Sequence, residues 1–513
     1  MAPHRESARD AGRLTATQEQ IWWLHHSLSA SDLLNMFYAL RIEGPLDAVA
    51  LEQALRQVCR RHQPLCTTYP AVDGAPSARI EARPQLAWKA VDLPDDPADL
   101  ARLAAEEAHR PFDLAGGPLL RATLLRLGPE RHVLLLNFHH ISADGWSLEV
   151  FCRECSALYT GLHGDRVPQL EELEGQCVDH AAWQARWLAG EQARQEADWW
   201  RDYLRGVSAA AFTLPTEGAR RPGLDFAVSR QVSALPAELT EELGQVARRR
   251  GASPYMVFLA ALDVLLARWT GQEDVVIGTL TANRETALSS GVLGAHFNPV
   301  LMRTDLAGEP CLGEVLMRVV ESALPALDHQ GLPFPALRGV LGENGVDPAA
   351  MPVPAAMLLQ DRYPLAGLTL AGSRVTPLHL DEGGAQHPGE LAGPRRLHAA
   401  TAADLTFFLR ESGDRQTLSV FYKTRLFDDR SIRQLIAAYS EILLAMVEEL
   451  ESSISDLELT LPSGSGEPVP RVAGERMEPG LFPITTTSPV DALSPVICLP
   501  SEELVRSLGD PAP

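Results

Sequence analysis

Val133, Leu134, Leu135, Leu136 and Phe138 form an apolar run that breaks off at His139-His140-Ile141-Ser142-Ala143-Asp144-Gly145-Trp146-Ser147. Such a run, bounded by polar residues, reads as a buried strand over His132 to His139, and a helical stretch follows from about Ser147 to Tyr159. Strand side chains alternate between faces, so His139 and His140 point in opposite directions and only one of them can face a common cleft. A chain containing this element is built around a sheet whose strand ends in chemistry.

Histidine is the side chain whose ordinary pKa lies nearest neutrality, so a neutral imidazole at His140 could take a proton from an attacking amine or hydroxyl. Asp144 either orients that ring directly or holds the turn by pairing with a distant arginine. The second arrangement is favoured, because a carboxylate buried at a strand end needs a partner. Gly145 lets the backbone come close to a substrate. By ordinary residue usage, two histidines followed after three residues by Asp-Gly arise by chance in about one chain per thousand of this length. The competing reading is two histidines that cap a strand without catalysis.

The 513 residues suggest two lobes of about 200 residues each. Helical spacing puts Leu51, Leu55, Val58 and Cys59 on one face of residues 47–62, with Asp47 as the cap. Strand candidates recur at Val275–Gly278, Val353–Leu359, Leu405–Leu409 and Leu418–Tyr422, between helical stretches such as Ser431–Glu449. The expected class is mixed α/β (α+β). Residues 1–13 read as a flexible N-terminus, 14–185 as a first lobe, 186–225 as a connector and 226–460 as a second lobe. Residues 381–400 are Gly-rich and read as a long inserted loop, and the ten prolines of 461–513 as a disordered tail.

A net charge of −22 argues against nucleic acid as a partner, since phosphate neutralisation needs a basic surface. Met1 to Arg13 is too polar for a signal peptide. The longest apolar stretch, Tyr255 to Trp269, is too short to span a bilayer and carries Asp263 and Arg268, so it reads as a buried helix. The expectation is a cytoplasmic protein with no membrane partner. Seven cysteines in so long a chain are no disulfide framework. Cys152 and Cys155 form the only close pair and read as buried thiols; without two further ligands at a recognisable spacing, no metal is expected. Ser147 lacks the second glycine of a nucleophile elbow, and no phosphate-binding glycine loop is found.

His139 to Gly145 resembles the HHxxxDG signature of nonribosomal peptide synthetase condensation domains, a superfamily shared with wax ester synthases, polyketide-associated acyltransferases and chloramphenicol acetyltransferase. Leu14-Thr15-Ala16-Thr17-Gln18 with Trp22 and Leu24 resembles the family's opening helix, and Arg61 to Tyr69 its RHExLRTxF element. Arg110 to Leu114 also fits, and Val178 to Trp183 resembles the motif closing the first lobe. Ile277 to Arg284 resembles IGxPxANR, Leu293 to Pro299 resembles VGxFVNTL, and His329 to Phe334 resembles HQDYPFE. The resemblance covers about residues 14–460. Cys66 and Leu280 depart from the pattern, and no late Arg-Asn-Pro motif is recognisable around Asp347 to Pro354.

The resemblance implies two chloramphenicol-acetyltransferase-like lobes in a V-shaped pseudo-dimer, with an active-site tunnel between them. It implies His140 as the catalytic histidine beside His139, Asp144 and Gly145, Asp144 paired with Arg284, and Asn298 lining the tunnel with Trp146, Ser147 and His296 nearby. It further implies that the chain itself binds no cofactor, and that the acyl, aminoacyl or peptidyl group would arrive on the phosphopantetheine of a peptidyl or acyl carrier protein supplied in trans and pass to a small-molecule or carrier-bound amine or alcohol. The expected protein is a stand-alone, monomeric condensation enzyme of antibiotic-type biosynthesis. An ester-forming acyltransferase with a soluble alcohol acceptor, and a non-catalytic carrier-docking module, are the alternatives. His62, His180 and His329 read as hydrogen-bonded core residues, and His25 and His26 as surface or packing residues.

Overall fold

The computed structural model describes residues 12–462, apart from 28–30, 83–85, 95, 165–169, 219–226, 347–353, 363, 379–402 and 413–414, together with 484–486. Nearly all of the expected N-terminal segment, the inserted loop at 381–400 and most of the tail lie outside the described residues.

The chain divides into two compact units, the first formed by residues 12–192, 282–297 and 364–378 as far as they are described. Its sheet runs in the order β13 (Arg374–Pro377), β1 (Asn35–Glu43), β8 (Arg131–His139), β7 (Leu120–Gly128), β6 (Ala87–Asp92). β6 and β7 are parallel and the other neighbours antiparallel. Four two-residue strands, β2 (Thr67–Thr68) with β5 (Arg79–Ile80) and β3 (Ala71–Val72) with β4 (Ala75–Pro76), form two small separate ladders.

β8 is buried on both faces, which explains why its residues are apolar but for Asn137 between Val133 and Phe138. Leu134, Leu136 and Phe138 pack with Leu51 and Leu55 of α2 (Ala48–Arg61) and Phe151 of α4 (Gly145–His163). Val133 and Leu135 point the other way, onto Leu100 and Ala104 of α3 (Pro97–His109). Each such leucine contributes about 1.5–3 kcal/mol by leaving water. α2 buries Leu51, Leu55, Val58 and Cys59, and Asp47 caps it by accepting from Val49 and Ala50 N–H. The unit is completed by α1 (Ala16–Ser27), α5 (Cys177–Leu188) and the single turn α9 (Ala287–Ser290).

The second unit carries a sheet in the order β11 (Asn298–Asp305), β10 (Asp274–Thr281), β12 (Ala356–Arg362), β14 (Leu405–Ser412), β15 (Arg415–Lys423), β9 (Val228–Leu235), β16 (Ile484–Thr486). β12 is parallel to both β10 and β14. The helices are α6 (Glu191–Tyr203), α7 (Ala237–Arg249), α8 (Pro254–Thr270), α10 (Leu312–Asp328), α11 (Phe334–Glu343) and α12 (Asp429–Glu448). α8, the expected buried helix, starts with Ser253 accepting from Met256 N–H and Pro254 at its first turn, and stops at Gly271, whose φ of 71° is left-handed. Among the described residues, no single helix is long and apolar enough to cross a membrane.

The expected boundaries change in three places. Residues 282–297 and 364–378, expected in the second lobe, belong to the first unit, because β13 pairs with β1 and Arg284 bonds Asp144. From Ala193 to Gly218 the expected connector belongs to the second unit: Trp200 Nε1–H donates to the His329 carbonyl (3.0 Å) and Tyr203 accepts from Arg303 N–H (2.8 Å). Within the expected disordered tail, Ile484–Thr486 adds an edge strand beside β9.

Candidate active site

β8 delivers the histidine pair. Its last backbone bonds are His139 N–H to the Leu119 carbonyl and His140 N–H to the Leu34 carbonyl, so both residues are still gripped by neighbours as the strand ends. The alternation of faces then sends the rings to different surroundings. His139 lies edge-on to His25 and Phe112, with centroids 5.1 and 5.7 Å away, and His140 packs 4.9 Å from the Phe297 ring.

His140 Nδ1 lies 2.7 Å from the Ala143 carbonyl, which can only accept. Nδ1 therefore carries the proton, and Nε2 keeps its lone pair. Burial lowers the pKa of this ring, and the Ala143 carbonyl and Asp144 only partly offset that, so the ring is neutral at neutral pH. His139, expected beside it as a catalytic group, has both ring nitrogens engaged: Nδ1 accepts from Ile141 N–H (3.1 Å) and Nε2 lies 3.1 Å from His25 Nδ1. It is wholly buried and holds the turn, with no lone pair free for a substrate.

Asp144 is both an ion-pair partner and the cap of α4. Its Oδ1 accepts from Ser147 N–H (2.8 Å) and Ser147 Oγ–H (2.6 Å), and its Oδ2 accepts from His296 N–H (3.0 Å). Arg284 Nη2 donates to both oxygens, at 2.7 and 2.9 Å. Burial alone would push the carboxyl up, but Arg284, Ser147 and the His296 amide hold it below the usual carboxylate range. Asp144 makes no hydrogen bond to the His140 ring; its carboxylate pairs with Arg284. Arg284 is fixed in turn by the Ser289 and Val292 carbonyls, each 2.6 Å from Nη1. Asn283, just before it, adopts φ 49°, a left-handed conformation that asparagine tolerates better than most residues.

Gly145 opens α4, and a Cβ there would meet nothing within 4 Å. Trp146 is exposed and donates to the Ser290 carbonyl (2.9 Å), while Ser147 is buried beneath it, bonded to Asp144 and Gly294. His296 is buried beside His180, with neither ring nitrogen bonded. Burial and the nearby Arg284 and His180 keep it neutral.

Asn298, expected to line the tunnel, has its side-chain amide bonded within the second unit. In the second unit its Nδ2 donates to the Gln330 and Leu332 carbonyls (2.8 and 2.7 Å), and its Oδ1 accepts from Phe334 N–H (3.0 Å). The amide is consumed in clamping the turn before α11. His329 sits beside that turn, bonded to Glu196 (2.6 Å) and stacked on Trp199 at 4.0 Å. His62, bonded to Glu154 (2.7 Å), is a core histidine. Cys152 and Cys155 are buried thiols, burial pushing Cys155 up to about 12. Among the described residues, no group of three His, Cys, Asp or Glu could hold a metal ion.

Sequence reasoning missed His25. It lies outside the His-His motif and no pattern points from it to His139; the signal is only its place on α1 seven residues after Gln18, on the same helix face.

The condensation domain model matches residues 8–465, and the chain belongs to the nonribosomal peptide synthetase condensation domain family. Malpinin synthetase of Mortierella alpina is 33% identical over 450 residues, which are 87% of this chain and 6% of that protein. Phosphinothricin tripeptide synthetase PhsB of Streptomyces viridochromogenes is 31% identical over 459 residues, 88% of this chain and 37% of that protein. The chain thus spans only a small part of the length of these relatives. Among solved structures, the X-domain from teicoplanin biosynthesis is similar at TM-score 0.73 and 27% identity, covering 89% of this chain and 99% of that one. The condensation domain from monacolin K polyketide synthase MokA shares the fold, at TM-score 0.74 and 21% identity over 86% of this chain and 98% of that one.

Proposed function

We propose that this chain transfers an acyl, aminoacyl or peptidyl group from the phosphopantetheine thioester of a carrier protein to an amine or alcohol, with His140 as general base. The observation that carries this reading is the hydrogen bond from His140 Nδ1 to the Ala143 carbonyl, because it leaves Nε2 bare on a neutral ring. The acceptor nitrogen or oxygen attacks the thioester carbonyl, and Nε2 takes its proton. The tetrahedral intermediate then collapses with loss of the phosphopantetheine thiolate, and a bound cofactor has no part in the step.

A thiolate leaves readily, so most of the acceleration comes from holding the two substrates together, worth about 7–11 kcal/mol. The base adds about a hundredfold to ten-thousandfold. Asp144 and Arg284 act at one remove, fixing the turn and the start of α4, and the open space at Gly145 lets a thioester approach the backbone there.

A second reading is a docking module. The X-domain of teicoplanin biosynthesis has been solved as a complex with OxyB, and this chain matches it at TM-score 0.72 and 27% identity over 90% of its length and 98% of the X-domain chain. The two readings separate in a reconstitution offering carrier-bound acyl groups with panels of amines and alcohols, beside His140→Ala. Transfer that requires His140 supports condensation and identifies amide or ester; carrier binding without transfer across the panels moves the assignment to docking.

A further inference from the structure

α1 holds residue 141 from both ends. Gln18 Nε2–H donates to the Ile141 carbonyl (3.2 Å), as well as to Tyr69 Oη (3.0 Å). The Ile141 N–H donates to His139 Nδ1, and His139 Nε2 lies against His25 Nδ1. Gln18 and His25 are thus two contacts from one helix face onto one residue's backbone, the second relayed through an imidazole.

The proton order along this chain is fixed. A backbone N–H can only donate, so His139 Nδ1 is an acceptor, and on a neutral ring Nε2 carries the hydrogen. His25 Nδ1 must then accept it, which places the hydrogen of His25 on its Nε2. His25 is suited to this because burial, together with His26 beside it, lowers its pKa to about 4 despite Asp113 nearby. His139 is also kept neutral by burial, with His25, His140, Arg121 and His26 adding to the effect.

The opposite tautomer of His139 would turn its Nδ1–H against the Ile141 N–H and leave a buried donor unmatched. The turn that hangs from His139 also carries the Ala143 carbonyl: Ser142 donates to the His139 carbonyl through both N–H (2.9 Å) and Oγ–H (2.8 Å). The Ala143 carbonyl in turn sets the tautomer of His140.

We propose that His25 is a positioning residue for this turn, accepting from His139 Nε2–H so that His139 anchors Ile141 and His140 keeps its proton on Nδ1 and its lone pair on Nε2. For catalysis this rests on the reading of His140 as base; for the tautomers it does not.

The test compares the full chain carrying His25→Leu, which removes the acceptor, with His25→Asn, whose Oδ1 replaces Nδ1 in nearly the same place. The tautomers are read by two-bond proton–nitrogen correlation on histidine-labelled protein. Expected are an Nε2–H His139 and an Nδ1–H His140 in the parent and in His25→Asn, and loss of that fixed pattern in His25→Leu. In acyl transfer, kcat of His25→Leu falls about tenfold at nearly unchanged KM, as expected for a misplaced base, and His25→Asn recovers it. The proposal is overturned if His25→Leu keeps both tautomers, or if His25→Asn loses them as fully as His25→Leu. A parent chain that transfers nothing would sink the base reading while the spectra still decide the role of His25.

Discussion

Arg284 places one nitrogen, Nη2, 2.7 and 2.9 Å from the two oxygens of Asp144, 140 residues away in the chain. Both side chains are almost fully buried, so neither charge is tolerable without the other.

Asp144→Ala is therefore expected to destabilise the first unit by about 3–5 kcal/mol, since it strands a buried guanidinium and uncaps α4. Thermal melting of the full chain measures this, and an unchanged Tm would count against a structural role for the pair.

His140→Ala should leave Tm close to the parent's while lowering product formation about a hundredfold to ten-thousandfold. Any acid limb in the parent's rate should have its midpoint below 6.5, because burial lowers the pKa of His140 from that value. An acid limb with its midpoint above 6.5 would reject the assignment.

Acid should loosen the first unit already between pH 6.5 and 4. His25 and His180 both fall from 6.5 to about 4, chiefly through burial, with His26 adding to the first and Arg284 to the second. A pKa lowered on folding means that the unfolded chain binds the proton first. The stability these rings contribute is thus complete above 6.5 and is lost as pH falls from 6.5 toward 4. Asp144, held low, gives way only below that window. Melting curves that stay level between pH 7 and 4.5 would contradict this account.

Asn298→Ala removes one side chain and three hydrogen bonds. With the Gln330 and Leu332 carbonyls and the Phe334 N–H left to find other partners, the expected loss is about 1–3 kcal/mol. An effect confined to KM, with stability intact, would favour the substrate-facing role expected from the sequence.

The elements most readable in the sequence are those whose cause is local. α2 follows from Asp47 and four apolar residues on one face, and β8 from the apolar residues of Val133–Phe138. The opposition of His139 and His140 follows from strand geometry alone. Less readable are features that depend on where distant segments meet. Nothing around Arg374 announces that β13 will pair with β1, and nothing around Asn298 announces that its amide will be used up by residues 330–334. His25 belongs with these, since its partner is 114 positions away.

The first unit is stitched from separate stretches of chain, and this sets the order in which the site can be completed during synthesis. A nascent chain ending at Gln192 already contains the whole signature from His139 to Gly145, yet not the guanidinium that neutralises Asp144. The ribosome must add roughly ninety more residues before Arg284 exists, several seconds at ordinary elongation rates. Until then the carboxylate has no inducement to leave water, and the histidine turn remains unfinished.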